Sequence, residues 1–201
     1  MGKIIISANS SLDGIAQDPD GKEGSELGGW FDQSVGADRA AWAENLVAEA
    51  QHAEALLLGR TSDEWFAERW LPRTGAYADR LNAMPKYVVS RSAEHAAWSN
   101  ATLLGGDMPD EIAKLKREID GEIVVYGSFQ LGHALMEADL VDQIRVAVLP
   151  VVVGEGVRLF SRTGGMGAIG GVGGIKVLRH LDTKTLGRGI VFSSYEVAGK
   201  R

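Results

Sequence analysis

The feature that most constrains this chain is a junction it repeats, in which a short apolar strand ends in glycine and passes at once into a helix. At residues 123–126 four consecutive β-formers run into Gly127 and Ser128, and residues 129–137 follow with Leu131, Ala134, Leu135 and Ala138 at helical spacing. The same pattern recurs at residues 55–58, which run into Gly59, Arg60, Thr61 and Ser62 ahead of the amphipathic stretch 63–70. Strands apolar throughout are buried on both sides, so the sheet they form must be covered by helices on both faces. Each turn also points backbone N–H groups and the positive end of a helix dipole beyond the strand, where an anion can bind. Taken singly, either turn is an ordinary strand-to-helix connection.

The rest of the chain repeats the alternation. Residues 3–8 read as the first strand, and Asn9, Ser11 and Asp13 follow it in a Ser-rich segment closed by Gly14. A polar, glycine-bearing loop spans 17–29, and 38–51 is an amphipathic helix that turns Trp42 and Leu46 to the sheet and Glu44 to solvent. After a helical turn at 76–83, Pro85 introduces a strand at 86–91 whose end carries Ser90, Arg91 and Ser92. A guanidinium flanked by hydroxyls suits a phosphate monoester, because its planar fork binds two oxygens at once. Residues 101–104 form a short strand, and Asp107 caps a helix with Met108, Ile112, Leu115 and Ile119 on one face. The strand at 142–149 leads into a β-rich crossing that ends in Gly154 and Gly156. Residues 161–174 are glycine-rich but lack a following lysine and a strand-to-helix frame, so they read as a connection and not as a phosphate loop. Strands at 175–182 and 189–197, joined through 183–188, make a closing hairpin.

The order predicts an α/β fold with a mostly parallel sheet and an antiparallel C-terminal hairpin, in one domain spanning 1–201. With no cysteine, disulfides, thiolate nucleophiles and cysteine-held metals are excluded, and redox chemistry must use a dissociable cofactor. The four histidines have no pair at helical spacing, so no histidine metal site is expected. A net charge of −6 argues against a broad nucleic-acid surface. No apolar run is long enough for a membrane span, and the N-terminus reads as a strand and not as a signal peptide, so a cytoplasmic protein is expected. Three strand ends carry phosphate-compatible residues, 59–62, 90–92 and 127–130, which together suit a ligand with a pyrophosphate and a further phosphate, as in NADP.

These residues carry a resemblance. The segments 56–61, 85–92, 125–131 and 140–156, with Ser11-Leu12-Asp13-Gly14 after the first strand, resemble the dihydrofolate reductase superfamily over nearly the whole chain. The branch they resemble is the reductase domain of the bifunctional riboflavin-biosynthesis deaminase-reductase. The resemblance implies a dihydrofolate reductase-like three-layer α/β/α fold, NADPH as cofactor, a small-molecule substrate and a homodimer. It assigns Gly59, Arg60 and Thr61 to the cofactor phosphates, Ser90, Arg91 and Ser92 to the 2′-phosphate ribose, and Gly127, Ser128, Gln130 and Leu131 to the pyrophosphate and nicotinamide side. It places Asn9, Ser11, Asp13, Trp30 and Phe31 on the substrate side, with Val152, Gly154 and Glu155 near the nicotinamide pocket.

The implied reaction is hydride transfer to a pterin-, pyrimidine- or ribosylamino-type substrate, as in 5-amino-6-(5-phosphoribosylamino)uracil reductase, with Asp13 or an ordered water giving the proton. Two departures bear on the substrate. Tyr126 and Ser128 replace the acidic residue and second glycine usual in riboflavin-pathway reductases, and with no cysteine a zinc deaminase domain is not expected within 1–201. The alternatives are a true dihydrofolate reductase, which would need a carboxylate near Trp42, Ala43 and Glu44 on the first helix, and a non-catalytic NADP-binding protein.

Overall fold

The computed structural model describes residues 1–160 and 174–198. Apart from Gly174, the glycine-rich connection expected at 161–174 lies outside the described residues. In chain order the elements are β1 (Lys3–Ser11), α1 (Trp30–Val35), α2 (Arg39–His52), β2 (Ala53–Gly59), α3 (Arg60–Trp70), α4 (Ala76–Ala83), β3 (Lys86–Val89), β4 (Ala101–Leu104), α5 (Met108–Glu118), β5 (Glu122–Tyr126), α6 (Phe129–Glu137), β6 (Gln143–Leu149), β7 (Leu178–Leu186) and β8 (Ile190–Val197). The strands form one eight-stranded sheet in the order β4-β3-β2-β5-β1-β6-β8-β7. β2, β3, β4 and β5 pair in parallel, and β7 and β8 pair antiparallel, as the alternation predicts. By its contacts the chain divides into two compact units, Met1–Ile6 with Leu46–Gln143, and Ser7–Asn45 with Ile144–Arg201.

The first unit is organised on β2. Its residues Ala55, Leu56, Leu57 and Leu58 are all inaccessible to solvent, which is why this strand reads as an unbroken apolar run and not as an alternation. Leu56 and Leu58 join Leu81, Met84, Trp98, Val124 and Tyr126 in one core cluster, against which Phe66 and Trp70 of α3 pack. Asp107 occupies the N-cap position of α5 without making the expected side-chain cap. The buried Lys116 ammonium on that helix reaches Asp142 at 2.5 Å, and Asp142 also accepts the Ile4 N–H at 2.7 Å. An ion pair taken out of water needs such further hydrogen bonds to offset its desolvation.

In the second unit Trp30, Phe31 and Val35 of α1 meet Ala147, Leu149, Leu186, Ile190 and Phe192, and Trp42 of α2 packs edge-on to Phe31 at 4.7 Å between ring centroids. The hairpin differs from expectation. The loop expected at 183–188 is strand as far as Leu186, because Thr183 and Thr185 continue the ladder, and only Gly187 to Gly189 turn. Gly187 sits at φ 68, and the Asp38 carboxylate accepts the N–H groups of Arg188 and Gly189 at 2.9 and 2.8 Å. A Cβ on Gly187 would stand 2.1 Å from Asp38 Oδ1. Gly187→Ala should therefore cost about 1–2 kcal/mol, the usual penalty of a left-handed residue. The check is a lowered urea midpoint at unchanged slope, and an unchanged midpoint would show that the turn bears no such constraint.

Candidate functional site

In the first unit the two glycine junctions become one structure. α3 starts directly after Gly59, and α6 starts after Ser128, which is itself left-handed at φ 45, ψ 45; neither helix has a side-chain cap. Ser128 Oγ accepts the Gly59 N–H at 3.0 Å, and Ser62 Oγ accepts the Ser128 N–H at 3.0 Å, across 69 and 66 residues of sequence. A serine held left-handed costs about 1–2 kcal/mol, which this pair of hydrogen bonds offsets. Gly127, at φ 59, turns the chain where a Cβ would come within 3.5 Å of the Phe66 ring and 3.6 Å of Ser62 Oγ. Two helix starts whose first-turn N–H groups lack side-chain partners are thus joined, and clustered donors at positive dipole ends fit a diphosphate.

The structure brings Gly59, Gly127 and Ser128 together and adds Ser62, whose hydroxyl carries the contact while Thr61 is exposed. From the sequence Ser62 reads equally well as a plain cap residue, so only its partner identifies it. Arg60 is exposed and pairs with Glu64 at 3.2 Å. In the first turn of α6 Gln130 is exposed and Leu131 is buried. At the end of β3, Ser90 donates its N–H to the Leu104 carbonyl at 3.3 Å, and its Oγ accepts the N–H groups of Ser92 and Ala93 at 3.2 and 2.9 Å. Arg91 and Ser92 lie exposed on that turn.

In the second unit the segment after β1 is laced to the segment after β6. Leu12 donates to the Val151 carbonyl at 2.8 Å, Ala16 to Val157 at 3.0 Å, and Leu159 to Gly14 at 2.9 Å. Asp13 sits at the centre: it accepts the Ser11 hydroxyl at 2.7 Å, the Val153 N–H at 3.1 Å and the Gly154 N–H at 2.8 Å. The Ser11 hydrogen bond first, then those from Val153 and Gly154, hold its carboxyl down to about 2, so it is a carboxylate at any ordinary pH. Arg158 donates to the Asp13 carbonyl and, with Ser10, Val146, Val148, Ser193 and Tyr195, lines an open groove. Neither Arg158 nor Tyr195 carries a sequence pattern that singles it out.

Asn9 accepts the Trp42 indole N–H at 2.9 Å. Trp30 donates its indole N–H to the Gln17 carbonyl at 2.8 Å, and both Trp30 and Phe31 are buried in the unit's apolar cluster. Val152, Gly154 and Glu155 are exposed. Glu44 is exposed on α2, whereas Glu49, two turns beyond Trp42 on the same helix, is buried. Among the described residues no three His, Cys, Asp or Glu side chains stand together as a metal ion would need, and no helix is long and apolar enough to cross a membrane.

Comparison with known proteins accords with this architecture. A family model described as the RibD C-terminal domain matches residues 2–192. Protein YyaP of Bacillus subtilis (strain 168) is 32% identical over 80 residues, a segment that makes up 40% of this chain and only 42% of that protein. A solved structure described as a riboflavin biosynthesis protein from Shewanella sp. PV-4 superposes with a TM-score of 0.69 at 18% identity and covers 99% of each chain. Dihydrofolate reductase from Enterococcus faecalis, complexed with NADP(H), superposes with a TM-score of 0.54 at 12% identity over 98% of this chain and 97% of that one. At these identities the structural likeness is one of fold, and the fold is dihydrofolate reductase-like.

Proposed function

The chain belongs to the RibD C-terminal domain family, and we propose that it is an NADPH-dependent reductase of a pterin-, pyrimidine- or ribosylamino-type substrate, akin to 5-amino-6-(5-phosphoribosylamino)uracil reductase. The observation that carries the reading is the pair of uncapped helix starts clamped through Gly59, Ser62 and Ser128. Their first-turn N–H groups hold the pyrophosphate, with Arg60, Thr61, Gln130 and Leu131 beside them, and Gly127 keeps the approach clear. Ser90, Arg91 and Ser92 take the 2′-phosphate ribose, where a guanidinium gives bidentate recognition.

NADPH, when bound, supplies the hydride. The chain's own part is to orient and to exclude water. Asn9 and Ser11 form the substrate side, backed by the apolar cluster in which Trp30 and Phe31 are buried, with Val152, Gly154 and Glu155 on the strap that Asp13 fastens. Asp13 is already ionised, so it orders this strap, and the proton for the substrate heteroatom comes from water. The dihydrofolate alternative is weakened by the exposure of Glu44. The functional molecule in this reading is a cytoplasmic homodimer, which a solution mass of twice the chain would support.

The test is NADPH oxidation across a panel of pterins, ribosylaminopyrimidines and quinones. Turnover with a ribosylaminopyrimidine or a related heterocycle is expected. Turnover with dihydrofolate alone would make the protein a dihydrofolate reductase, and stoichiometric NADPH binding without oxidation of any member would make it a binding protein.

A further inference from the structure

Asp63 lies in the first turn of α3, one residue beyond Ser62, and only 2% of it is exposed. Its Oδ2 accepts the Ala97 N–H at 2.7 Å across 34 residues of sequence, while its Oδ1 is buried without a hydrogen-bond partner. A half-satisfied buried carboxylate is costly. Burial, with Glu64 adding to it, pushes the Asp63 carboxyl above its ordinary value, against the Ala97 hydrogen bond and the charge of Lys86, which is fully buried and held by the Asn82 carbonyl at 2.7 Å and Asn100 Oδ1 at 3.3 Å.

What the carboxylate does is fasten the loop that follows β3. That loop is fixed at its start by the turn on Ser90 and at its end by Ala97 on Asp63 and by the buried Trp98, whose ring lies 4.6 Å from the Lys86 ammonium. Between these two pins Arg91, Ser92, Glu94 and His95 are exposed, and Arg91 has no ion pair among the described residues. The path of the backbone that carries Arg91 is therefore set from α3, the same helix whose first residues belong to the diphosphate cradle.

We propose that Asp63 is a positioning residue for 2′-phosphate recognition: by holding Ala97 it fixes the Arg91 loop relative to the start of α3, and so contributes to the preference for NADPH over NADH. The proposal rests on the NADPH reading given above. Nothing in the local sequence pattern marks Asp63, which reads as one more acidic residue near a helix start.

The test compares dissociation constants for NADPH and NADH, from nucleotide fluorescence, in the wild type, Asp63→Ala and Asp63→Asn, with thermal melting alongside. Asp63→Ala should weaken NADPH by about tenfold, the worth of one hydrogen bond to a charged group, and leave NADH nearly unchanged. Asp63→Asn keeps an acceptor for the Ala97 N–H and should keep the preference. If Asp63→Ala does not fold, Ala97→Pro removes the donor from the other side, and the same shift in the ratio is expected. A ratio that stays at the wild-type value, or equal weakening of both nucleotides, overturns the proposal whatever happens to the melting temperature. A wild type that binds NADPH no better than NADH would instead overturn the NADPH reading itself, and Asp63 would have no such role.

Discussion

Asp13→Asn should lower turnover about a hundredfold, the usual cost of misplacing an active-site segment by an ångström, while NADPH binds as in the wild type. The carboxylate accepts hydrogen bonds from Ser11, Val153 and Gly154. An amide can accept on one side only, and its NH2 would face a donor on the other. The strap that bears Val152, Gly154 and Glu155 would lose a fastening, whereas the turns proposed to hold the cofactor phosphates draw on residues of the other unit. The pH dependence separates this role from proton donation. The Asp13 carboxyl is depressed from its ordinary value of 3.8 to about 2, so the fastening is complete above pH 3.8 and is lost as the pH falls through about 2. Any acid limb in turnover near neutrality must belong to another group. Unchanged turnover in Asp13→Asn would remove this residue from the mechanism.

Arg91→Ala should raise the NADPH dissociation constant by roughly 10- to 100-fold, the worth of charge-assisted hydrogen bonds to a phosphate, and leave NADH nearly untouched. Arg91 is exposed on a turn set by Ser90, so its removal leaves no buried partner unsatisfied and no cavity. The effect should accordingly appear in nucleotide choice and not in the melting temperature. Since solvent screens exposed charges, the NADPH preference of the wild type should also shrink as salt is raised. Equal weakening of both nucleotides would remove Arg91 from the 2′-phosphate site.

The elements that follow from local signals are legible in the chain itself. Helix periodicity places α4 at Ala76–Ala83 and α6 at Phe129–Glu137, and turn residues bound β4 at Ala101–Leu104. The hairpin turn is misplaced because Thr183 and Thr185 look like loop polarity until β8 supplies their ladder and Asp38, far away in sequence, closes the turn. Trp30 and Phe31 show another limit: an apolar pattern does not separate a pocket wall from a core, and the fold buries both in the cluster around α1.

By itself the sequence determined that apolar strands at 55–58 and 123–126 end in glycine beside helix starts, because period, breaker and cap act within a few residues. Only the tertiary structure decided that these two turns meet, that Ser62 and not Thr61 joins them, and that Asp13 fastens Val153 and Gly154 across 140 and 141 residues. Contacts of that kind depend on which strands lie side by side and in what register, and no local pattern encodes either.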